Sequence, residues 1–389
     1  MEEETLTLNN PSSALSALSG LTIAHLIEGD GPGGAEQVVA HLARGFQRAG
    51  TRNIVVVPPS GEGWLGRQLE DSGVIVEWLD LSGRASLRHV RELSRLLRRY
   101  DVAVAHSHEF AMGVFGTWAS RRIGAGHVLT MHGGRYYAER LRRRLALRAS
   151  GSASGCFVAV SDSLRAHLSR DLWMRRARIS VVPNGVAYQP PREGTLRREL
   201  GLSDGHKLGV SVGNLYAVKG HRFLVDAVAE LAESHREVHV AIAGRGKEEA
   251  ALREQAQQLG IADRVHLLGL RDDVNNVLAS GDFFVLPSLS EGLPLALLEA
   301  MFAGLPIVAT AVGDVASALA DGAAGLLVPP RDAHALAEQV RLLLSQPSRA
   351  RQLGAAAAAR AEGEFGISRM IERYAGIYSR LVRTHTGGR

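Results

Sequence analysis

The sequence predicts an α/β protein built of two Rossmann-like domains that face each other across a cleft, and three observations support that fold class. Short apolar runs typical of buried parallel strands alternate with amphipathic helical stretches along most of the chain. The length of 389 residues is enough for two domains, each with its own core. The stretch 283–310 reads as one strand–helix–strand unit, and such units bind ligands at the carboxyl ends of their strands.

Four segments organise the chain. Residues 1–19 are acidic and then polar, without a basic stretch ahead of an apolar core, so we expect a flexible tail and not a signal peptide. Residues 20–188 form the predicted first domain and residues 189–366 the second, with Pro190-Pro191 marking the linker between them. Residues 367–389 hold a terminal amphipathic helix and a short tail.

The first domain opens with a strand over 21–27, a glycine-rich turn over 29–34, a helix over 35–49 and a strand over 53–57. The turn satisfies the G-x-G-x-x-G spacing of dinucleotide-binding domains, which makes a nucleotide-dependent oxidoreductase an alternative. That alternative needs an acidic residue near the end of the second strand to hold a ribose. No acid follows until Glu62, which argues against it.

Further strands and one basic helix complete the first domain: strands over 74–79, 101–106, 127–130, 157–160 and 179–182, and a helix over 86–99. The fourth strand ends in His106-Ser107-His108-Glu109, and the two histidines share one strand face. A His-x-His pair is a candidate metal site, but no third ligand follows at a suitable spacing. We expect His106 to be a packed core residue, and His132 lies in the loop predicted after the next strand.

The second domain opens with a strand over 208–212 and the loop Gly213-Asn214-Leu215-Tyr216-Ala217-Val218-Lys219-Gly220. Strands over 238–243 and 265–268 follow, and they end near Arg245 and Arg271 respectively.

Two carboxylates of the 283–310 unit, Glu291 and Glu299, are eight residues apart. If Glu291 begins the helix, a rise of ~1.5 Å per residue puts the two backbones ~10–12 Å apart. This separation is wider than the ~5–9.5 Å of paired glycosidase carboxylates, so hydrolysis by such a pair is disfavoured. It suits one extended polar ligand, gripped at both ends beside helix N–H groups that favour a phosphate.

The order of these motifs resembles retaining glycosyltransferases of family 4, which have the GT-B fold. The 291–299 segment resembles the family's E-x7-E signature, the 213–220 loop its G-R-L-x-x-x-K-G segment, and the 33–36 turn its GGAE segment. Residues 102–109 resemble its D-V-x-H-x-H-E pattern. The resemblance covers nearly everything from Leu21 to Val382, and it implies that the terminal helix crosses back to the first domain.

The resemblance also implies roles for single residues. Lys219, Glu291 and His108 correspond to catalytic positions: Lys219 binds the pyrophosphate, Glu291 holds the donor sugar, and His108 lies beside that sugar. Glu299 corresponds to the carboxylate that binds the ribose, and the loop that contains His132 corresponds to the acceptor side. Asn214 stands where the family has arginine, which leaves half of the cation clamp missing, and Arg245 is our candidate replacement. The implied donor-binding set is Gly33, Gly34, Gly213, Asn214, Arg245, Arg271, Gly292, Leu293 and Glu299.

Composition and resemblance together set the expected partners. The net charge of +5 fits phosphate ligands or an anionic membrane surface, and six arginines between Arg135 and Arg148 mark a candidate membrane contact. With 5% aromatic residues and no recognition motif, nucleic acid is not expected. We expect a nucleotide-sugar co-substrate, with UDP-sugars ahead of GDP-sugars, and a glycan, lipid-linked or small-molecule acceptor. We expect that the protein needs no cofactor and no metal. We also expect it to be cytoplasmic, and any contact with the membrane to be peripheral, on the cytoplasmic face.

The sequence thus predicts a glycosyltransferase that moves a sugar from a nucleotide donor to an acceptor hydroxyl with retention. Two alternatives belong to other classes, a nucleotide-dependent oxidoreductase and a non-catalytic sugar-nucleotide binding protein. Hydride transfer distinguishes the first. Nucleotide binding without donor hydrolysis or sugar transfer distinguishes the second.

Overall fold

The computed structural model describes residues 13–59, 63–80, 87–133, 136–189 and 194–386. They form two compact units. The first comprises the described residues up to Gly185 together with those from Ile367 onward, and the second is Val186–Gly366. Residues 1–12 of the predicted tail and the Pro190-Pro191 linker lie outside the described residues.

The first unit is built on a seven-stranded parallel sheet with the strand order β3-β2-β1-β4-β5-β6-β7. Every residue of β1 and β5 is buried, as expected for strands covered by helices on both faces. The strands are β1 (Thr22–Leu26), β2 (Arg52–Val57), β3 (Ile75–Trp78), β4 (Val102–His108), β5 (Gly126–Met131), β6 (Cys156–Ala159) and β7 (Ile179–Val181).

Helices cover both faces of this sheet. Ser161 caps one of them, because its side chain accepts a hydrogen bond from the Leu164 N–H at 3.1 Å. The helices are α1 (Ser13–Ser16), α2 (Gly34–Arg48), α3 (Trp64–Leu69), α4 (Leu87–Arg99), α5 (Phe110–Ile123), α6 (Leu141–Ala153), α7 (Asp162–Asp171) and, at the end of the chain, α16 (Ile367–Thr386).

The prediction of a flexible tail over residues 1–19 is wrong for its last part. Residues 13–16 form α1, and Leu15 and Leu18 are fully buried. Burying an apolar side chain of this size contributes roughly 1.5–3 kcal/mol, which is enough to hold a short segment against the core. The polar composition of the preceding residues concealed this anchor.

The terminal helix α16 packs within the first unit, although its sequence follows the whole of the second. It lies against β4, β5 and α2, and Ile371 fills the space beside Gly45 of α2. Tyr374 and Tyr378 are its most deeply buried large side chains. The predicted return of the terminal helix to the first domain is confirmed.

The second unit contains a six-stranded parallel sheet with the strand order β10-β9-β8-β11-β12-β13. Its strands are β8 (Lys207–Val212), β9 (Val238–Ala243), β10 (Val265–Gly269), β11 (Phe283–Leu286), β12 (Ile307–Thr310) and β13 (Leu326–Val328). Its helices are α8 (Leu196–Glu199), α9 (His221–Ala232), α10 (Glu249–Gln258), α11 (Val274–Ser280), α12 (Leu295–Phe302), α13 (Val315–Ala318), α14 (Ala333–Ser345) and α15 (Pro347–Glu364).

Both sheets are doubly wound, as the sequence predicts. The chain reverses its direction of winding between β1 and β4 in the first unit and between β8 and β11 in the second. Ligands of such sheets bind outside the carboxyl ends of the strands at this switch point. Two pairs of loops therefore lie where a ligand is expected. They are residues 27–33 with 108–109 in the first unit, and residues 213–220 with 287–294 in the second. Across the described ranges, no helix has both the length and the apolar character that a bilayer span requires.

Candidate active site

An ion pair lies at the switch point of the second unit. The Lys219 Nζ is 2.7 Å from the Glu291 Oε1, and the Ser288 hydroxyl donates a second hydrogen bond of 2.7 Å to the same oxygen. The Glu291 side chain is only 8% exposed and that of Lys219 26%. The structure thus joins two residues that the sequence selected separately, 72 positions apart.

Close backbone packing places this pair. After β8 the loop ends in a single 3-10 turn, Ala217–Lys219, and the Leu289 N–H donates to the Val218 carbonyl at 2.8 Å. Gly220 follows with φ +66°, and a Cβ there would lie 2.1 Å from the Pro287 carbonyl oxygen. Only glycine meets both demands, so the loop that carries Lys219 presses directly on the segment leading to Glu291.

The two carboxylates occupy different settings. The structure corrects the expected helix start, because α12 begins at Leu295 and Glu291 lies in the loop before it. Glu299 lies within α12 and is partly buried, and burial raises its pKa to about 7. Gly292 and Leu293, between Glu291 and the helix, belong to the same loop, and the Asp314 N–H donates to the Gly292 carbonyl at 3.0 Å.

The loops after β8 and β9 pack on each other. The Leu215 N–H donates to the Arg245 carbonyl at 2.9 Å. A Cβ on Gly244 would come within 2.0 Å of the Gly213 carbonyl oxygen, so these backbones meet closely. Arg245 therefore belongs to a loop that touches the one carrying Asn214, as expected of a candidate replacement cation.

The Arg271 side chain forms two ion pairs within the second unit. Its guanidinium lies 2.6 Å from the Asp273 carboxylate and 3.0 Å from that of Glu199, and these hydrogen bonds raise its pKa. We therefore expect backbone groups of residues 269–271, and not the Arg271 side chain, to contact the donor. This contact stays a prediction.

Buried histidines crowd the switch point of the first unit. His25 of β1 pairs in register with His106 of β4, and the His106 and His108 rings lie 4.0 Å apart. His108 Nδ1 is 2.9 Å from His132 Nε2. His132 is partly exposed and His108 is 0% exposed. His132 is therefore the outer member of the pair, and the role expected for His108 beside the donor sugar stays a prediction.

Burial keeps these imidazoles neutral. It lowers the pKa of His25 and of His132 to about 4. The pKa of His106 and that of His108 lie well below the usual range. Burial is the larger cause, and the neighbouring imidazoles lower both values further. The cluster therefore acts through hydrogen bonds and ring contacts and not through positive charge.

Three of these histidines are also close enough to hold a metal ion. In the described part of the chain, His25, His106 and His108 have ligand atoms within 4.8 Å of one another. The sequence did not indicate His25 as a third ligand, because it comes from a different strand. Both His106 ring nitrogens are hydrogen-bonded, to the Tyr378 hydroxyl at 2.5 Å and to the Thr130 hydroxyl at 2.7 Å. A metal ion would have to displace one of these bonds.

Glu109 is a site residue that sequence reasoning missed, although it directly follows the His-x-His pair. Its backbone has φ +68° and ψ −170°, a region that is essentially confined to glycine. Its carboxylate accepts the His132 N–H at 3.0 Å and so fixes the backbone of the outer histidine. Burial raises the pKa of Glu109 to about 8, and the nearby Glu28 and Glu36 carboxylates add to the effect.

The glycine-rich turn of the first unit is filled by an acid. A Cβ on Gly29 or on Gly33 would lie 2.0 or 2.2 Å from a Glu36 carboxylate oxygen, so this side chain lies inside the turn. The Gly33 N–H donates to the Gly31 carbonyl at 2.9 Å in this conformation. Contact of the Gly33 and Gly34 N–H groups with a donor phosphate stays a prediction.

Comparison with known proteins agrees with this architecture. The family model described as "Glycosyltransferase Family 4" matches residues 32–189, and that described as "Glycosyl transferases group 1" matches residues 193–360. The α-D-kanosaminyltransferase of Streptomyces kanamyceticus is 26% identical, covering 84% of this chain and 87% of that protein. The UDP-Gal:α-D-GlcNAc-diphosphoundecaprenol α-1,3-galactosyltransferase of Escherichia coli is 26% identical, covering 69% of this chain and 76% of that protein.

The solved structures show the same fold. Anabaena HepE in complex with UDP superposes with a TM-score of 0.80 at 21% identity, over 92% of this chain and 100% of that one. The two doubly wound units and these matches define the chain as a glycosyltransferase with the GT-B fold. It belongs to glycosyltransferase family 4. This membership gives no support to the oxidoreductase alternative.

The raised pKa of Glu109 predicts a pH-dependent stability. Because its pKa is about 8 in the folded chain and near 4.5 when unfolded, the folded state binds the extra proton between these values. The contribution of Glu109 to the free energy of unfolding therefore falls as pH rises from 5 to 8, by at most ~1.4 kcal/mol per pH unit. Glu109→Gln, which cannot ionise, lacks this contribution, so its stability relative to that of the native chain should rise over this range.

Urea unfolding followed by tryptophan fluorescence measures this effect, because all four tryptophans lie in the first unit. Glu139→Gln, which alters an exposed carboxylate of the same unit, is the control and should follow the native profile. Parallel profiles for the Glu109 variant and the native chain would contradict the prediction.

Proposed function

We propose that this glycosyltransferase moves a sugar from a nucleoside-diphosphate donor to an acceptor hydroxyl with retention of the anomeric configuration. The observation that carries the proposal is the Lys219–Glu291 ion pair at the switch point of the second unit. A cation held at this edge meets a diphosphate where doubly wound sheets bind ligands. A carboxylate released from that cation becomes free to accept hydrogen bonds from sugar hydroxyls.

The donor roles follow from position. Lys219 neutralises the leaving diphosphate, which is the group on which negative charge develops. Glu291 and the backbone of Gly292 and Leu293 hold the donor sugar. Glu299 accepts hydrogen bonds from the ribose hydroxyls. This role fits its position within α12, eight residues after Glu291. Gly213 and Asn214 line the phosphates, and Arg245 supplies the second cation because its loop packs on theirs.

Transfer on this pattern needs neither a protein base nor a metal. The leaving phosphate takes the proton of the acceptor hydroxyl on the face from which it departs, and retention results. His132, the outer histidine of the first unit, contacts the sugar or the acceptor, and His108 supports it from behind. We propose UDP-sugars as donors, since HepE is similar over 92% of this chain and was solved with UDP.

We propose that the acceptor is a glycan, a lipid-linked saccharide or a small molecule. The Escherichia coli relative is named for a diphosphoundecaprenol-linked acceptor. The kanosaminyltransferase carries no lipid in its name. A feature of α6 favours the lipid-linked class.

The start of α6 combines exposed apolar and basic side chains. Leu141 is 60% exposed, Leu145 50% and Trp173 52%, and the Arg144 guanidinium stacks 4.2 Å from the centroid of the Trp173 ring. Arg140 and Arg142 are exposed beside them. Of the six predicted arginines, Arg143, Arg144 and Arg148 bind other groups of the protein, and Arg135 lies outside the described residues. We propose that this patch contacts an anionic membrane surface.

The membrane proposal predicts a charge-dependent binding. Each basic residue near an anionic surface contributes ~1 kcal/mol, so removing Arg140 and Arg142 should weaken binding about 30-fold. Co-sedimentation with vesicles containing phosphatidylserine measures the effect for Arg140→Gln with Arg142→Gln. Arg95→Gln with Arg98→Gln, exposed on α4, is the matched control and should bind as the native chain does. Equal loss in both pairs, or binding that ignores lipid charge, would count against the patch.

The ribose role of Glu299 predicts a binding defect. Removing a charged acceptor costs roughly 1.5–3 kcal/mol, so Glu299→Ala should bind UDP about 10- to 150-fold more weakly. Calorimetric titration at pH 8 measures this affinity, because the Glu299 carboxyl, whose pKa is about 7, is then mostly ionised. Glu254→Ala, an exposed change on α10, should leave it unaltered.

The same preparations test the proposed reaction. Incubating UDP-sugars with candidate acceptors in excess EDTA should give UDP and a glycosylated product in which the sugar keeps its anomeric configuration. UDP binding without hydrolysis or transfer would favour the non-catalytic alternative. Activity that vanishes in EDTA and returns with Mg²⁺ or Mn²⁺ would contradict metal independence, and unchanged UDP affinity in Glu299→Ala would remove the ribose role.

A further inference from the structure

A continuous column of buried side chains joins the terminal helix to the outer histidine. The Tyr378 hydroxyl of α16 lies 2.5 Å from His106 Nδ1. The His106 ring packs on the His108 ring at 4.0 Å, and His108 Nδ1 lies 2.9 Å from His132 Nε2. Tyr378 is thus linked to His132 through two intervening imidazoles, within the first unit alone.

We infer that Tyr378 is a positioning residue of the transfer reaction, which orients His132 through His106 and His108. The inference rests on the proposed function, because the group it orients is the histidine placed there beside the sugar or the acceptor. It assigns a part in the chemistry to a helix that lies more than two hundred residues further along the chain than His132.

The column leaves little rotational freedom in its middle. His106 and His108 point to the same face of β4, and the strand fixes their backbones. His106 is held at both ring nitrogens, by Tyr378 and by the Thr130 hydroxyl at 2.7 Å, and the Tyr374 hydroxyl lies 3.1 Å from that of Thr130. A ring held at both ends cannot flip without breaking two buried hydrogen bonds.

The fixed His106 ring in turn limits His108. The two rings are tilted by 35°, and their contact restricts the rotation that would turn His108 Nδ1 away from His132. The His108 and His132 rings themselves stack at 5.2 Å with 21° between their planes. His132 is therefore held at its ring by His108 and at its backbone N–H by Glu109.

Hydrogen bonds and ring contacts, not charges, hold the column together. Burial lowers the pKa of the three imidazoles and raises that of the Tyr374 and Tyr378 hydroxyls, so all five groups stay neutral at ordinary pH. Neutral polar groups are costly to bury unless they are bonded. Phenylalanine in place of Tyr378 keeps the packing and removes only the bond, which makes it the informative change.

Tyr378→Phe should lower kcat for sugar transfer about tenfold and change the UDP dissociation constant less than twofold. Thr130→Val, which removes the second bond to His106, should act in the same way. Tyr137→Phe is the matched control: Tyr137 is fully buried in the same unit, and its hydroxyl lies 3.3 Å from the Asp171 carboxylate, outside the column. It should leave kcat unchanged.

Imidazole nitrogen NMR of the histidine-labelled protein supplies a readout that packing alone would not alter. The ring nitrogen shifts of His108 and His132 should move in Tyr378→Phe and in Thr130→Val, and stay in place in Tyr137→Phe. Native kcat and unmoved shifts in Tyr378→Phe would overturn the inference. An equal loss of kcat in Tyr137→Phe would also overturn it, because it would reveal a general packing defect.

The two failures remain distinguishable. If the native chain transfers no sugar from any donor, the proposed function fails, whereas the NMR shifts still test the column. Shifts that move as described would then support the orientation of His132 by Tyr378, and unmoved shifts would remove it.

Discussion

The contact between the Lys219 loop and the Pro287 backbone is the constraint on which the candidate site depends. Neighbouring strands β8 and β11 bring the two segments together, and Gly220 allows them to meet at a distance no side chain could tolerate. That contact places a lysine against a nearly buried glutamate. A partly buried ion pair stabilises modestly at best, and its charges are available to a ligand that binds either one more strongly. A diphosphate is such a ligand for Lys219. The pair therefore reads as a resting arrangement that a donor would open.

In the first unit, neutral groups hold one partly exposed histidine, His132, in place. His132 ends a strand and begins a loop, where a side chain has the most freedom. Glu109 binds its backbone, and the buried imidazoles of β4 bind its ring. Glu109 adopts a backbone conformation that costs roughly 1–3 kcal/mol, and such strain persists only where surrounding contacts outweigh it. Its stability cost and its position at the switch point agree with a functional and not a purely structural role.

The sequence predicted the fold well because both sheets are built of buried parallel strands, whose apolar runs are distinct and end at glycine, proline or polar residues. The strand β9 begins and ends where the pattern predicts, and the predicted unit over 283–310 begins with β11 and ends with β12. What it could not predict depends on contacts between distant segments. Nothing near Glu291 shows that its partner is Lys219, and nothing near His106 indicates His25 or Tyr378. Nothing near Arg271 indicates its ion pair with Glu199. The motif also could not show that His108 is fully buried and His132 only partly.

The central claim, that a donor diphosphate takes Lys219 from Glu291, is tested most directly by UDP affinity across a double-mutant cycle of these two residues. Titration calorimetry is performed on the native chain, Lys219→Ala, Glu291→Ala and the double variant. Lys219→Ala should weaken UDP binding about tenfold or more, Glu291→Ala should bind UDP as tightly as the native chain or more tightly, and the double variant should behave as Lys219→Ala does. Equal weakening by Glu291→Ala and Lys219→Ala would contradict it, because the pair would then act as a fixed structural unit and not as a cation that the donor releases.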